Sequence, residues 1–111
     1  AHIRKAYGEE LEFLWRKFPG NAAVRRKDTE KWYAAFLAVP RLKLGGSSKE
    51  RVEVLNLRVC PGESGILADN RSRFPAYHMN KKNWVSFCLD GTVPFEELAA
   101  RLETSRRLAG K

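Results

Sequence analysis

Apolar and polar positions change period several times along this chain. The opening AHIRKAYG puts Ile3, Ala6 and Tyr7 at helical spacing before Gly8, which predicts the last turns of a helix closed by a glycine. LWRKFPGN then marks a turn through Pro19 and Gly20. Two strand-like runs follow, Ala22–Arg25 and 32–39, and the polar link RKDTE between them predicts a hairpin. In the second run Trp32, Ala34, Phe36 and Ala38 alternate with Tyr33, Ala35, Leu37 and Val39. Both sets are apolar, so this strand is expected to be covered on both faces, with Pro40 ending it.

RLKLGGSSKE, with Gly45, Gly46, Ser47 and Ser48 in a row, reads as a loop. RVEVLNLRV reads as a strand whose alternation slips near Leu55, which predicts a bulge there. CPGESGILADN predicts a short helix around 63–68, and FPAYHM and NWVSFCL predict the last two strands, with NKK as the tip between them. The final helix has the clearest signature. Pro94 suits its first turn, Glu96 and Glu97 lie where the helix dipole favours negative charge, and Phe95, Leu98, Ala99 and Leu102 form one apolar stripe. Arg106 and Arg107 fall in its last turn, and Gly110 ends it. The order α-β-β-β-α-β-β-α predicts a two-layer α+β fold, an antiparallel five-stranded sheet with helices packed on one face. At 111 residues the chain is a single domain, 1–111. It begins without Met on the end of a helix, so it is expected to be the C-terminal domain of a longer chain.

Charge narrows the functional classes. Twenty-one Lys and Arg against thirteen Asp and Glu give +8 and a pI near 9.9, an excess that attracts polyanions or serves solubility alone. Nothing approaches the roughly 20 apolar residues of a membrane span, and the start lacks the apolar core of a signal peptide. A cytoplasmic location without membrane contact is therefore expected. Cys60 and Cys88 make no zinc-ligand pattern, and in a reducing compartment they are expected to stay free thiols.

Catalytic signatures are scarce. The chain has no GxGxxG opening a helix, no Walker loop, no GxSxG and no HExxH, so neither enzyme activity nor a cofactor or metal is expected. His78 is the one internal imidazole. With Asp90 or Glu53 behind it, it could act as a general base in a small-molecule site with Asn80 and Trp84. The simpler reading is a strand-end ring bonded to the backbone. The basic clusters are richer. Arg25, Arg26 and Lys27 run into the first hairpin turn and Lys31 follows it, while Lys81 and Lys82 occupy the second tip with Asn80 and Asn83 on either side. Arg and Lys on a hairpin tip can reach phosphates, and Asn can touch base edges or sugars. Trp32 and Trp84 stand just after the two tips, either as core anchors or, if exposed, as stacking surfaces for bases.

Three blocks carry a family resemblance: WRKFPGNAAVRRKDTEKWYAAFL, VEVLNLRV and FPAYHMNKKNWVSFCLDGTVPFEEL. Together they resemble the MmcQ/YjbR family of small bacterial proteins, from about Glu12 to Leu108, with YHMNKKNW as the specific part. The resemblance implies an α+β fold related in shape to frataxin and secretion-chaperone domains. It also implies DNA binding through two wing-like hairpins. Carried over here, the first wing would hold Arg25, Arg26, Lys27 and Lys31, and the second Asn80, Lys81 and Lys82. The segment ESGILADNRSR departs from the family by being rich in Gly and Arg where a more regular helix is usual. The alternative is a protein-interaction or scaffold module, partnered by another protein or an upstream domain. In that case Tyr77, Met79 and Trp84 pack the sheet and the YHMNKKNW motif is structural.

Overall fold

The computed structural model describes residues 2–15, 20–40, 50–69, 71–76 and 79–110. The elements run α1 (His2–Tyr7), β1 (Ala22–Arg25), β2 (Trp32–Pro40), β3 (Arg51–Arg58), α2 (Ser64–Leu67), β4 (Arg73–Pro75), β5 (Trp84–Cys88) and α3 (Phe95–Leu108). This is the α-β-β-β-α-β-β-α order read from the periodicity. The five strands form one sheet in the order β1-β2-β3-β5-β4, antiparallel throughout.

The helices share one face. In register, Ala34 pairs with Leu57 and Leu57 with Val85, while Phe36 pairs with Leu55 and Leu55 with Phe87. These positions meet Ile3 of α1 and Leu102 of α3 in the larger core cluster, and Leu67 of α2 packs against the same cluster. The alternate positions Leu37, Val39, Val52, Val54 and Cys88 turn to the opposite face and join Phe74 in a second cluster. Both sets of β2 are thus largely covered, as the doubly apolar run requires.

The chain bulges, but not at Leu55. The β2–β3 and β3–β5 ladders run through Leu55 without a break. The alternation slips there because β3 lies between two strands and is buried on both faces from Val54 to Leu57, so either face takes an apolar residue. The irregularity lies instead between β1 and β2, where Val24 pairs with Ala34 but Arg25 pairs with Trp32, leaving Tyr33 as the extra residue. The extra residue turns the Tyr33 ring to the helix side, where it is fully buried with Ala34.

Other expectations differ at their edges. α2 is a single turn, in keeping with Gly62 before it and Gly65 within it, and β4 spans only three residues. Tyr77, His78, Pro19 and residues 41–49 of the expected loop lie outside the described residues. Gly8 has φ +68°, the left-handed conformation that closes α1 and that a side chain would resist. Cys60 and Cys88 are free. No described helix is long and apolar enough to cross a membrane.

α3 is fixed to the sheet by a buried hydroxyl as well as by its apolar stripe. Ser105 Oγ donates to the Tyr33 carbonyl and accepts from Arg58 N at 2.8 Å, one residue beyond the last pairs of the β2–β3 ladder. The serine replaces a rung that the bulge has opened. Ser105→Ala leaves a buried N–H and a buried carbonyl without it, so a loss of about 1–3 kcal/mol is expected in urea unfolding. A change under ~0.3 kcal/mol would show that the rung closes without the hydroxyl.

Candidate nucleic-acid interface

The antiparallel order brings both basic tips to one end of the sheet. The first tip joins the end of β1 to the start of β2, the end of β3 lies beside the start of β2, and Arg58 at that end pairs with Trp84 at the start of β5. The turn before Trp84 is the second tip. Two strand spacings, roughly 10 Å, separate the β2 and β5 entries.

The first tip is closed by backbone bonds from Arg26 N to Lys31 O at 3.0 Å and from Glu30 N to Arg26 O at 2.9 Å. Glu30 turns it with φ 62°, a conformation unusual for a residue with a side chain. The tip is tethered to the last turn of α3: Arg26 Nη1 donates to the Arg106 carbonyl at 3.0 Å, and Thr29 Oγ1 to the Ala109 carbonyl at 2.8 Å. The second tip is an Asx turn. Asn80 Oδ1 accepts from Lys82 N at 2.8 Å, and the Asn80 carbonyl accepts from Asn83 N and Trp84 N. Asn83 O accepts in turn from Val59 N at 2.8 Å, which fastens this tip to the end of β3.

The positive side chains are unequal in availability. Arg25 forms a two-bond fork on Glu12 at 2.7 and 2.5 Å, and Arg26 a fork on Asp28 at 2.8 and 2.7 Å. The Arg25 fork, aided by its charge, holds the Glu12 carboxyl below its ordinary range, and the Arg26 fork does the same for Asp28. Lys27, Lys81 and Lys82 are exposed and have no ion-pair partner among the described residues, and Lys31 is exposed beside them. Arg107 adds an exposed guanidinium on the last turn of α3. Asn80 spends its side-chain oxygen on the turn.

The tryptophans are anchors. Trp84 is 7% exposed and lies under the Arg58 guanidinium, 4.8 Å from the ring centre. Trp32 is half-buried and meets Trp15 edge-on at 5.7 Å. Arg58, which spacing did not single out, also donates from Nε to the Trp32 carbonyl, and burial pushes its guanidinium pKa down. Its one sequence signal is a cation at the end of a strand buried on both faces from Val54 to Leu57.

Beneath the first tip sits a buried ion pair that spacing also missed. Glu9 is 3% exposed and accepts from Tyr33 Oη at 2.7 Å, Lys27 N at 2.9 Å, and Arg106 Nε and Nη2 at 2.9 and 3.2 Å. Arg106 lies over the Tyr7 ring at 4.8 Å. Burial alone would raise the Glu9 pKa, but the bonds from Arg106, Tyr33 and Lys27 outweigh it and hold the carboxyl below its ordinary value. The same burial and the Glu9 bond push the Tyr33 hydroxyl well above the usual phenol range.

Chemistry of another kind is sparse. Among the described residues no group of His, Cys, Asp and Glu is arranged to hold a metal. An apolar cavity of about 580 Å³ lies over Phe36, Leu55 and Leu89 between α1 and the first half of α3, and neither Asn80 nor Trp84 lines it. Whether His78 faces a pocket concerns a residue outside those described.

Comparison with known proteins places these features. The sequence model of the YjbR family matches residues 4–108. The uncharacterized protein YyaQ of Bacillus subtilis is 33% identical over 107 residues, covering 96% of this chain and 91% of YyaQ. A crystal structure of a Pseudomonas syringae protein superimposes with TM-score 0.93 at 35% identity, covering 97% of this chain and 92% of that one. A Deinococcus radiodurans protein described by a DUF419 domain superimposes with TM-score 0.69 at 27% identity, covering 98% and 76%.

The Glu9 pair gives a test of what holds the tip. Glu9→Gln keeps the shape but leaves the Arg106 charge without its partner, at an expected cost of about 3 kcal/mol near pH 7. Because the folded-state pKa is lowered, the carboxylate contribution is complete above the ordinary glutamate value of about 4.3 and is lost as pH falls through the folded value. The wild-type advantage measured by denaturant unfolding should therefore shrink below about pH 4. An advantage independent of pH from 7 to 3 would show that the charge does not matter.

Proposed function

We propose that this chain, which belongs to the YjbR family, binds the phosphate backbone of duplex DNA with the end of its sheet that carries both hairpin tips. It does so without enzymatic chemistry. The observation that supports this most is the convergence of Lys27, Lys31, Lys81 and Lys82, with Arg107, on that one end of a chain of net charge +8. The roots of the tips, at the β2 and β5 entries, stand roughly 10 Å apart, a span comparable with a major groove about 12 Å wide, so the tips can meet phosphates on opposite sides of it. The tryptophans favour duplex over single strand, because Trp84 is buried and Trp32 half-buried, so neither ring offers an open stacking platform. Arg25 and Arg26, satisfied by Glu12 and Asp28, support the tip rather than contact phosphate.

Five phosphate contacts give a slope of about −4.5 for log K against log salt. Lys81→Ala with Lys82→Ala should flatten it by about 2 and weaken binding alike on all duplex sequences. Arg25→Ala should leave the slope unchanged. Affinity indifferent to salt, or no binding at low salt, would sink the proposal.

A protein-interaction module is the second reading. Glu12 bridges Ala23 beyond the sheet edge, and Leu11, Phe13 and Leu14 around it are exposed, Phe13 by 63%. Exposed apolar side chains on an edge segment fit a protein partner. If Phe13→Ser abolishes capture of a protein and the double lysine variant does not, this reading replaces the first.

A further inference from the structure

Resting on the duplex-backbone reading, we infer that Arg58 is a positioning residue that sets the spacing of the two tips. It sits between them at the end of β3 and holds the root of each by a different interaction. Its Nε donates to the carbonyl of Trp32, the first residue after the β1–β2 tip. Its guanidinium carbon lies over the ring of Trp84, the first residue after the second tip, 4.8 Å from the ring centre. Its own N–H is held by Ser105 Oγ, and the next residue's N–H by the Asn83 carbonyl. Backbone and side chain of one residue thus reach α3, the first hairpin and the second.

The geometry needs an arginine. A guanidinium can set its charge over an indole while an N–H in the guanidinium plane points sideways at a carbonyl. A lysine ammonium is a single point and cannot serve a ring face and a lateral acceptor in the same way. The guanidinium is half-buried and its hydrogen bond faces inward, so it acts on a polyanion through Lys27, Lys81 and Lys82 rather than by leading contact.

A rigid ligand distinguishes positioning from charge or bulk stability. A duplex presents phosphates at fixed separations, so it is sensitive to tip spacing, whereas inorganic polyphosphate adapts to whatever spacing it meets. Arg58→Met, which keeps an apolar stem over Trp84, should weaken duplex binding roughly tenfold and polyphosphate binding by less than about twofold, because two linked contacts reinforce one another only when the span fits. Arg58→Lys should fall with Arg58→Met rather than with the wild type. Equal losses on both ligands, no loss on either, or full rescue by lysine would overturn the inference. A second measurement stands apart from DNA. Spin labels at Lys27→Cys and Lys82→Cys, in a Cys60→Ser background, should give a narrow distance distribution with Arg58 and a broader one in Arg58→Met. An unchanged width overturns the positioning role. If the wild type binds no duplex while the distribution still broadens, the functional reading fails and the role of Arg58 in tip geometry stands.

Discussion

The fold is organised around one buried carboxylate. Glu9 follows the left-handed Gly8 that closes α1, and it gathers donors from the hairpin tip, the bulged tyrosine and the last turn of α3. A buried charge is tolerated only when its acceptor sites are filled, and here a guanidinium fork, a phenol and a backbone N–H fill them. Each partner imposes a condition elsewhere. Tyr33 must face the helices, so β2 takes an extra residue. That residue opens the β2–β3 ladder, and Ser105 on α3 bridges the gap. Arg106 must reach Glu9 from the same turn, which fixes both the rotation of α3 and its depth along the sheet.

That chain of conditions explains what the sequence made legible. Period and punctuation operate within ten or fifteen residues. They give the doubly covered β2, the α3 stripe with its acidic start and basic end, and the two polar tips. Contacts that join distant segments have no such signature. Glu9 and Arg106 lie 97 residues apart, Ser105 and Tyr33 72, and Arg58 and Trp32 26. The slip near Leu55 was a real feature of the sequence with another cause, since a centrally placed strand loses its alternation without any bulge. The true irregularity at Tyr33 was hidden because both faces of β2 are apolar there, and an extra apolar residue changes nothing in the pattern.

Charge counting has a similar boundary. The sequence supplies seven residues at the two tips as candidate contacts, and the structure divides them by availability. Arg25 and Arg26 are occupied by carboxylates, one of them thirteen positions away, and Asn80 shapes its own turn. Lys27, Lys81 and Lys82 are exposed with no ion-pair partner among the described residues, and Lys31 is exposed beside them. An occupied arginine still contributes to the long-range field, but its partner cancels it locally, so composition overstates the charge available at the tips.

The two ends of the helix-covered face differ in kind, and this bears on how the two functional readings relate. In register, Phe87, Leu55 and Phe36 form a row across the sheet, and the Glu12 bridge brings Phe13 to its outer end. Phe87, Leu55 and Ala22, the β1 partner of Phe36, are buried, and exposure reaches 63% only at Phe13 beyond the edge strand, while α3 packs over β2 and β3. Leu89, beyond the far end of β5, and Phe95, at the start of α3, line the apolar cavity, whereas the last turn of α3 is tied to the first basic tip. The cationic tips and the apolar opening therefore occupy opposite ends of one helix. A polyanion seated on the tips leaves the opening uncovered, and an apolar partner at the margin leaves the lysines solvated. The readings are separable by substitution, and occupancy of one surface does not by geometry preclude the other.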